Sequence, residues 1–279
     1  MLKFSHNLGW MQAFSRLPAK WGLDFDATLK IMKTLGLDAL EFYPSLFAYS
    51  NNTKRIKELV HENGLYFYSA HLPMVAGVLL NENLWEYQRE WVHSFGELGA
   101  KVIVVHAEDI KLSEQEMNDK FPVLLRYLEY LSDVAEKSGM KIALENLWSK
   151  EPLYKLEQIE RVKKHLTNDN IGFCLDTGHA FGTMDEKAHD NPMQNLMNVF
   201  DIMKDRLFNI HLHDTDKNSD KHLPLGKGSI DWDLFFSAVR GLSPNFPLTI
   251  EIDPRCPIDD NENIKQLLEE LYRPFFAFA

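Results

Sequence analysis

Nine residues of the types that hold divalent metals stand at or just beyond the downstream ends of six successive strand-like segments. They are His71, His106, Glu145, Asp176, His179, His211, Asp220, His222 and Glu251. Those borne on strands each close an apolar run: YFYSAH to His71, KVIVVH to His106, KIALE to Glu145, IGFCLD to Asp176, LFNIH to His211 and PLTIE to Glu251. Burying an ionisable group without a partner is strongly unfavourable. Six such endings, all at one end, describe a ring of ligands around a single mouth.

Glu145, Asp176, His211 and Glu251 together make a mixed nitrogen and oxygen shell, which suits Mn, Zn, Co or Mg better than a thiolate-preferring ion. One glutamate alone would more often pair with Arg or Lys; four such residues together favour the metal. Asp176-Thr-Gly-His179 packs two candidate ligands into one turn, with Gly178 allowing a tight backbone. The bland reading of that motif is an Asp capping the next helix. His211 and His213 alternate and so share a strand face; one of the pair is a ligand and the other a supporting donor or substrate contact, and spacing leaves the choice open. Asp220-Lys-His222 lies in the loop after the seventh strand, and its case rests on the company it keeps.

The elements that must position these residues repeat. Gly36, Gly64, Gly99 and Gly139 each stop a helix and precede a strand, as expected of glycine in the left-handed conformation just past a helix. The spacing predicts strands at about 2–6, 38–42, 65–71, 101–106, 141–145, 171–175, 207–212 and 247–251, each followed by a helix, the last from Ile264 to Tyr272. Trp85, Trp91, Phe95 and Leu98 form one amphipathic stripe, and Leu156, Ile159, Val162 and Leu166 another. Ser113 with Glu116 reads as a capping box, although a restart near Phe121 is an alternative. Several strands are continuously apolar, as in a parallel sheet covered on both faces. Eight such units across residues 1–279 describe a single-domain (β/α)8 TIM barrel, whose active site is built at the C-terminal strand ends; a doubly wound open sheet would need only five or six strands.

The net charge of −11 argues weakly against a surface built mainly for nucleic acid, since bound cations would reverse it locally. No apolar run is long enough to span a bilayer. The start, MLKFSHNLGW, lacks a signal-peptide layout, and two cysteines, Cys174 and Cys256, give no disulfide framework. A cytoplasmic location with no membrane partner is expected. Seven of the eleven histidines, including His6 and His213, fall at strand ends or just after them, whereas His61, His93, His165 and His189 belong to helices or their neighbourhood. Trp10, Phe14 and Trp21 either cap a ligand or pack on the rim. The tail from Tyr272 to Ala279 covers the barrel underside or a homo-oligomer contact.

LDTGH to His179, IHLHD to Asp214, the stretch DKHLPLGKGSIDW from Asp220 to Trp232, and TIE to Glu251 closely resemble the xylose-isomerase-like barrel superfamily. That group contains the sugar phosphate isomerases and epimerases and, as a cousin, endonuclease IV. The resemblance to the sugar branch implies one divalent metal on Glu145, Asp176, His211 and Glu251. It also implies proton transfer by Glu145 and Glu251 through an enediolate, and substrate contact by His179. His213, His6 and Trp10 join His179 as candidate substrate contacts. A divalent-metal-dependent isomerase or epimerase of a small carbohydrate is thus the leading expectation, the substrate being a sugar, sugar phosphate or inosose-like polyol.

The endonuclease branch implies three zinc ions. His71, His106 and Glu145 would hold one; Glu145, Asp176, His211 and Glu251 the second; His179, Asp220 and His222 the third. Cofactor expectations therefore run from one to three ions, Zn or Mn, and nucleic acid is a partner only under this alternative, a phosphodiesterase acting on abasic DNA. The chain departs from that branch at FSHNLGWMQAF and at His213-Asp214, where the endonucleases carry Asn-Asp. A non-catalytic, metal-dependent sugar-binding protein is a third class.

Overall fold

The computed structural model describes residues 2–8, 25–44, 52–148, 151–182, 190–217, 219–252, 273–275 and 277. In chain order the elements are β1 (Phe4–Asn7), α1 (Phe25–Thr34), β2 (Ala39–Phe42), α2 (Thr53–Glu62), β3 (Tyr66–His71), α3 (Asn83–Leu98), β4 (Val102–Val105), α4 (Glu114–Glu136), β5 (Lys141–Glu145), α5 (Leu156–His165), β6 (Ile171–Asp176), α6 (Thr177–Gly182), α7 (Pro192–Met203), β7 (Leu207–Leu212), α8 (Trp232–Leu242) and β8 (Leu248–Ile250). The strands pair in sequence order, all parallel, and β8 returns to β1 to close the barrel. The expected TIM barrel is the observed fold.

The four helix-stopping glycines all have positive φ, from 68° to 89°, a conformation that a side chain would strain. The predicted capping box is present, with Ser113 and Glu116 exchanging hydrogen bonds. No restart occurs near Phe121: α4 runs on through Pro122. Its buried face, including Met117, Phe121, Leu124, Leu128, Leu131 and Ala135, recurs at helical spacing and holds the helix against the barrel. Leu98, Ile159 and Val162 are likewise buried, while His61, His93 and His165 are exposed. Phe275 is fully buried, its ring 6.2 Å from that of Phe4; the predicted last helix, Trp10, Phe14, Trp21, His189 and Cys256 lie outside the described residues.

The barrel interior is divided. On the β4–β6 side Val102, Val104, Ala143 and Cys174 form a small apolar cluster. The opposite side is a polar chain running up to the mouth. Ser5 Oγ meets Thr249 Oγ1 at 2.7 Å, Thr249 donates to Asn209 Oδ1 at 2.9 Å, and Asn209 Nδ2 donates to Glu41 Oε2 at 2.9 Å. Asn7 Nδ2 then links Glu41 to Glu251, at 2.6 and 3.1 Å. Buried polar groups satisfied in this way fix one arrangement of the strand ends.

Candidate metal centre

Register brings the ligands together. Asp176 sits opposite His211 across β6 and β7, and Glu145 opposite Cys174 across β5 and β6, so these side chains share the inner face. His106 and Glu251 follow directly after β4 and β8 rather than lying within them. The described residues offer four groups whose ligand atoms lie within 4.8 Å of one another; three share Glu145, one of them being Glu145, Cys174 and His211. Glu145, Asp176, His211 and Glu251 form the central one, and His71 and His106 share Glu145 in a second. His179, Asp220 and His222 belong to the third, together with His213.

The second nitrogen of each candidate histidine ligand is already engaged. His71 Nδ1 meets Leu72 O at 2.7 Å and His106 Nδ1 meets Asp109 Oδ1 at 2.7 Å. His179 Nδ1 donates to Asn146 O at 3.0 Å, and His222 Nδ1 to Glu251 O at 2.9 Å. These bonds fix the tautomer and aim the remaining nitrogen at the site. His71 Nε2 and His106 Nε2 face Glu145 Oε2 at 3.4 and 3.6 Å; His179 Nε2 and His222 Nε2 face the two oxygens of Asp220 at 3.3 and 3.2 Å. In neutral rings these are lone pairs facing carboxylate oxygens. Glu145 Oε2 and His211 Nδ1 are buried without a hydrogen-bond partner. A cation between such atoms satisfies both, so the donor set fits a divalent ion with nitrogen and oxygen ligands.

The electrostatics favour protonated imidazoles beside ionised carboxylates. Burial opposes charge on His211 and His179, yet the surrounding groups hold both well above the ordinary imidazole range: Cys174 and Glu251 around His211, Asp176 and Asp220 around His179. His106 is raised to about 10 and His222 to about 9, in each case against burial, chiefly by hydrogen bonds to Asp109 and Asp220. Glu251 falls to about 2 despite burial because of His211 beside it, and Glu145 lies well below the carboxylate range for the same reason.

Asp176 joins the two readings of its motif. Its Oδ1 accepts from His179 N at 2.7 Å, which is helix capping, while the same carboxylate belongs to the central group. His213 Nε2 lies 2.8 and 3.0 Å from the two oxygens of Asp176, so His213 braces a candidate ligand, although its position also admits it to the third group. Gly178 is needed for close approach rather than for a tight turn: it is helical, and a Cβ there would lie 1.9 Å from His213 Cε1.

Above these groups opens a cavity of about 360 Å³. Its floor and walls include His71, His106, Glu145, His179, Asp220, His222 and Glu251, and no Lys or Arg is among the described lining residues. His213 and His6 do not line it. Strand alternation puts His6 on the face of β1 opposite Asn7, where burial lowers its pKa to about 3. Sequence reasoning missed Asn7, Tyr43, Met74 and Glu151, which also line the cavity. Burial and the nearby Glu251 push Tyr43 up to about 12, keeping it a neutral donor.

A closed barrel with these candidate ligands on its C-terminal rim, matched by sequence over most of its length, decides the family. The chain belongs to the xylose isomerase-like TIM barrel family, whose pattern matches residues 29–273. Family relatives by sequence include a protein of Methanocaldococcus jannaschii, 27% identical over 62% of this chain and 63% of its own length. A probable endonuclease 4 of Mycobacterium ulcerans is 25% identical over 52% of this chain and 55% of its own. The chain thus spans less than two thirds of either relative. Among solved structures, a D-tagatose 3-epimerase-like protein has a TM-score of 0.72 at 20% identity, covering 99% of both chains. The IolI protein with a bound zinc atom has a TM-score of 0.70 at 18% identity, covering 99% of this chain and 98% of that one. At these identities the structural likeness speaks to fold. No helix of the described residues is long and apolar enough to cross a membrane.

Proposed function

We propose that the protein is a divalent-metal-dependent isomerase or epimerase of a small polyhydroxy carbonyl compound. The observation that carries this reading is the pairing of Glu145 and Glu251. They rise from β5 and from just beyond β8, both line the cavity, both are held ionised, and both belong to the central group. Carboxylates on two walls of one cavity can take a carbon-bound proton from one face of a substrate and return it to another. When bound, the ion would hold the carbonyl and neighbouring hydroxyl oxygens and offset the negative charge that develops there. His179 and Tyr43, which both line the cavity, supply donors to substrate hydroxyls.

One observation favours the second reading, metal-assisted phosphodiester hydrolysis: the groups around His71 and around Asp220 exist in addition to the central one, and a multi-ion site can generate hydroxide and stabilise a leaving oxygen. Incubation in deuterated water with manganese and panels of ketoses and inososes tests the proposal. Deuterium appearing on a carbon beside the carbonyl supports it. Nicking of abasic duplex DNA with no such exchange would move the protein to the hydrolase branch.

A further inference from the structure

Glu41 ends the inner face of β2 and is fully buried. Four donors surround its carboxylate. Asn7 Nδ2 reaches Oε1 at 2.6 Å, while Ser69 Oγ and Asn209 Nδ2 reach Oε2 at 2.7 and 2.9 Å. His211 Nε2 lies 3.1 Å from Oε1 and 3.2 Å from Oε2. An ionised carboxylate accepts at both oxygens and donates at neither; an amide of the same shape must turn an NH2 toward one of those donors.

We propose that Glu41 is a positioning residue of the metal centre, holding the ring proton of His211 on Nε2 and so presenting the Nδ1 lone pair to the ion. It touches neither the cavity nor the central ligand oxygens. It acts through the imidazole that it holds, as an outer carboxylate does in carboxylate–histidine–metal arrangements. The inference rests on the central group being a metal site. Glu41 serves His211 as Asp109 serves His106.

The test is zinc affinity, by competition with a chromophoric chelator, for wild type and Glu41→Gln, alongside thermal melts of both in excess chelator. In the variant the amide can donate to His211 Nε2 and drive the ring proton onto Nδ1, the ligand atom. Zinc affinity is expected to fall about 10- to 100-fold, the usual effect of losing an outer-shell partner. A purely structural Glu41 would lower the chelated melting temperature but leave zinc affinity of the folded protein unchanged, and that result would overturn the proposal. Should Glu41→Gln fail to fold, nitrogen-15 spectra of the zinc-loaded wild type decide. Zinc on Nδ1 with the proton on Nε2 supports the assignment, and zinc on Nε2 overturns it. A wild type that takes no zinc would instead sink the metal reading and this inference with it, an outcome distinct from zinc binding that Glu41→Gln leaves untouched.

Discussion

His211 Nδ1 lies 2.7 Å from Glu251 Oε2 and yet makes no aligned hydrogen bond. The two atoms are therefore close enough for either a shared proton or a shared cation to relieve their contact. With a proton between them the pair is an ion pair; with a metal, both lone pairs point to a third atom. The expectations below follow from that competition between proton and metal.

Zinc loading at pH 7.5 should release protons. His106 and His222, raised to about 10 and about 9, are protonated at that pH and must become neutral to ligate. Calorimetric titrations in buffers of different ionisation enthalpy are expected to show more than one proton released per chain when all three groups fill. Apparent affinity should therefore weaken as soon as pH falls below about 10, well above the reference imidazole value of about 6.5.

The metal-free protein should show the opposite trend in stability. A histidine whose folded pKa is raised contributes stability that is complete below its unfolded value, 6.5, and is lost as pH rises through the folded value of about 9 to 10. Glu251, lowered from 4.5 to about 2, contributes above 4.5 and loses that contribution as pH falls toward 2. His6 is lowered from 6.5 to about 3; its contribution is complete above 6.5 and is lost as pH falls toward 3. In chelator, the melting temperature is expected to peak near pH 6.5 and to decline toward pH 10. A metal-free curve still rising at pH 9 would contradict these assignments.

Glu145→Gln and Glu251→Gln should each reduce solvent-proton exchange by about 100- to 10,000-fold, the usual effect of losing a positioned general base. Zinc affinity should fall less, because Gln keeps one oxygen ligand. His71→Ala and His106→Ala separate the readings: exchange in the isomerase should drop less than about tenfold, below that general-base range. Dependence on His71 as steep as on Glu145 would favour multi-ion hydrolysis.

Much of this was legible in the chain. Strand ends such as KIALE and IGFCLD announce buried carboxylates, and glycines 36, 64, 99 and 139 mark the units. Glu41 was hidden because ALEFY reads as an ordinary strand, and its four donors come from β1, β3 and β7, far apart in sequence. His213 could not be assigned from spacing, since only the fold shows Asp176 beside it. His6 does not line the cavity: ending a strand places a side chain near the mouth, but parity decides whether it points inward.

Gly178→Ala tests the brace. The new methyl would displace the His213 ring, and overpacking of this kind costs about 1–3 kcal/mol. Thermal stability and zinc affinity are expected to fall together, because Asp176 loses its support. Loss of stability alone would show that His213 does not hold the ligand.

Asp214 organises the loop that carries Asp220 and His222. It accepts from Thr215 N at 2.8 Å, Ile230 N at 3.2 Å, Gly226 N at 2.8 Å and Trp232 Nε1 at 3.0 Å. Asp214→Ala leaves these donors without an acceptor, at about 1–3 kcal/mol for each one that stays buried. A change in Trp232 fluorescence is expected, and in protein loaded with excess zinc any ion taken up by His179, Asp220 and His222 should be lost before a central one.

The central claim is that a divalent ion sits among Glu145, Asp176, His211 and Glu251. Elemental analysis of protein purified without chelator, paired with anomalous diffraction at the edge of the metal found, tests it most directly. The expected result is at least one equivalent of Zn or Mn per chain, with an anomalous peak touching those four side chains and absent in Asp176→Ala. Protein that contains no metal, and shows no peak there after zinc or manganese is added, would contradict the account.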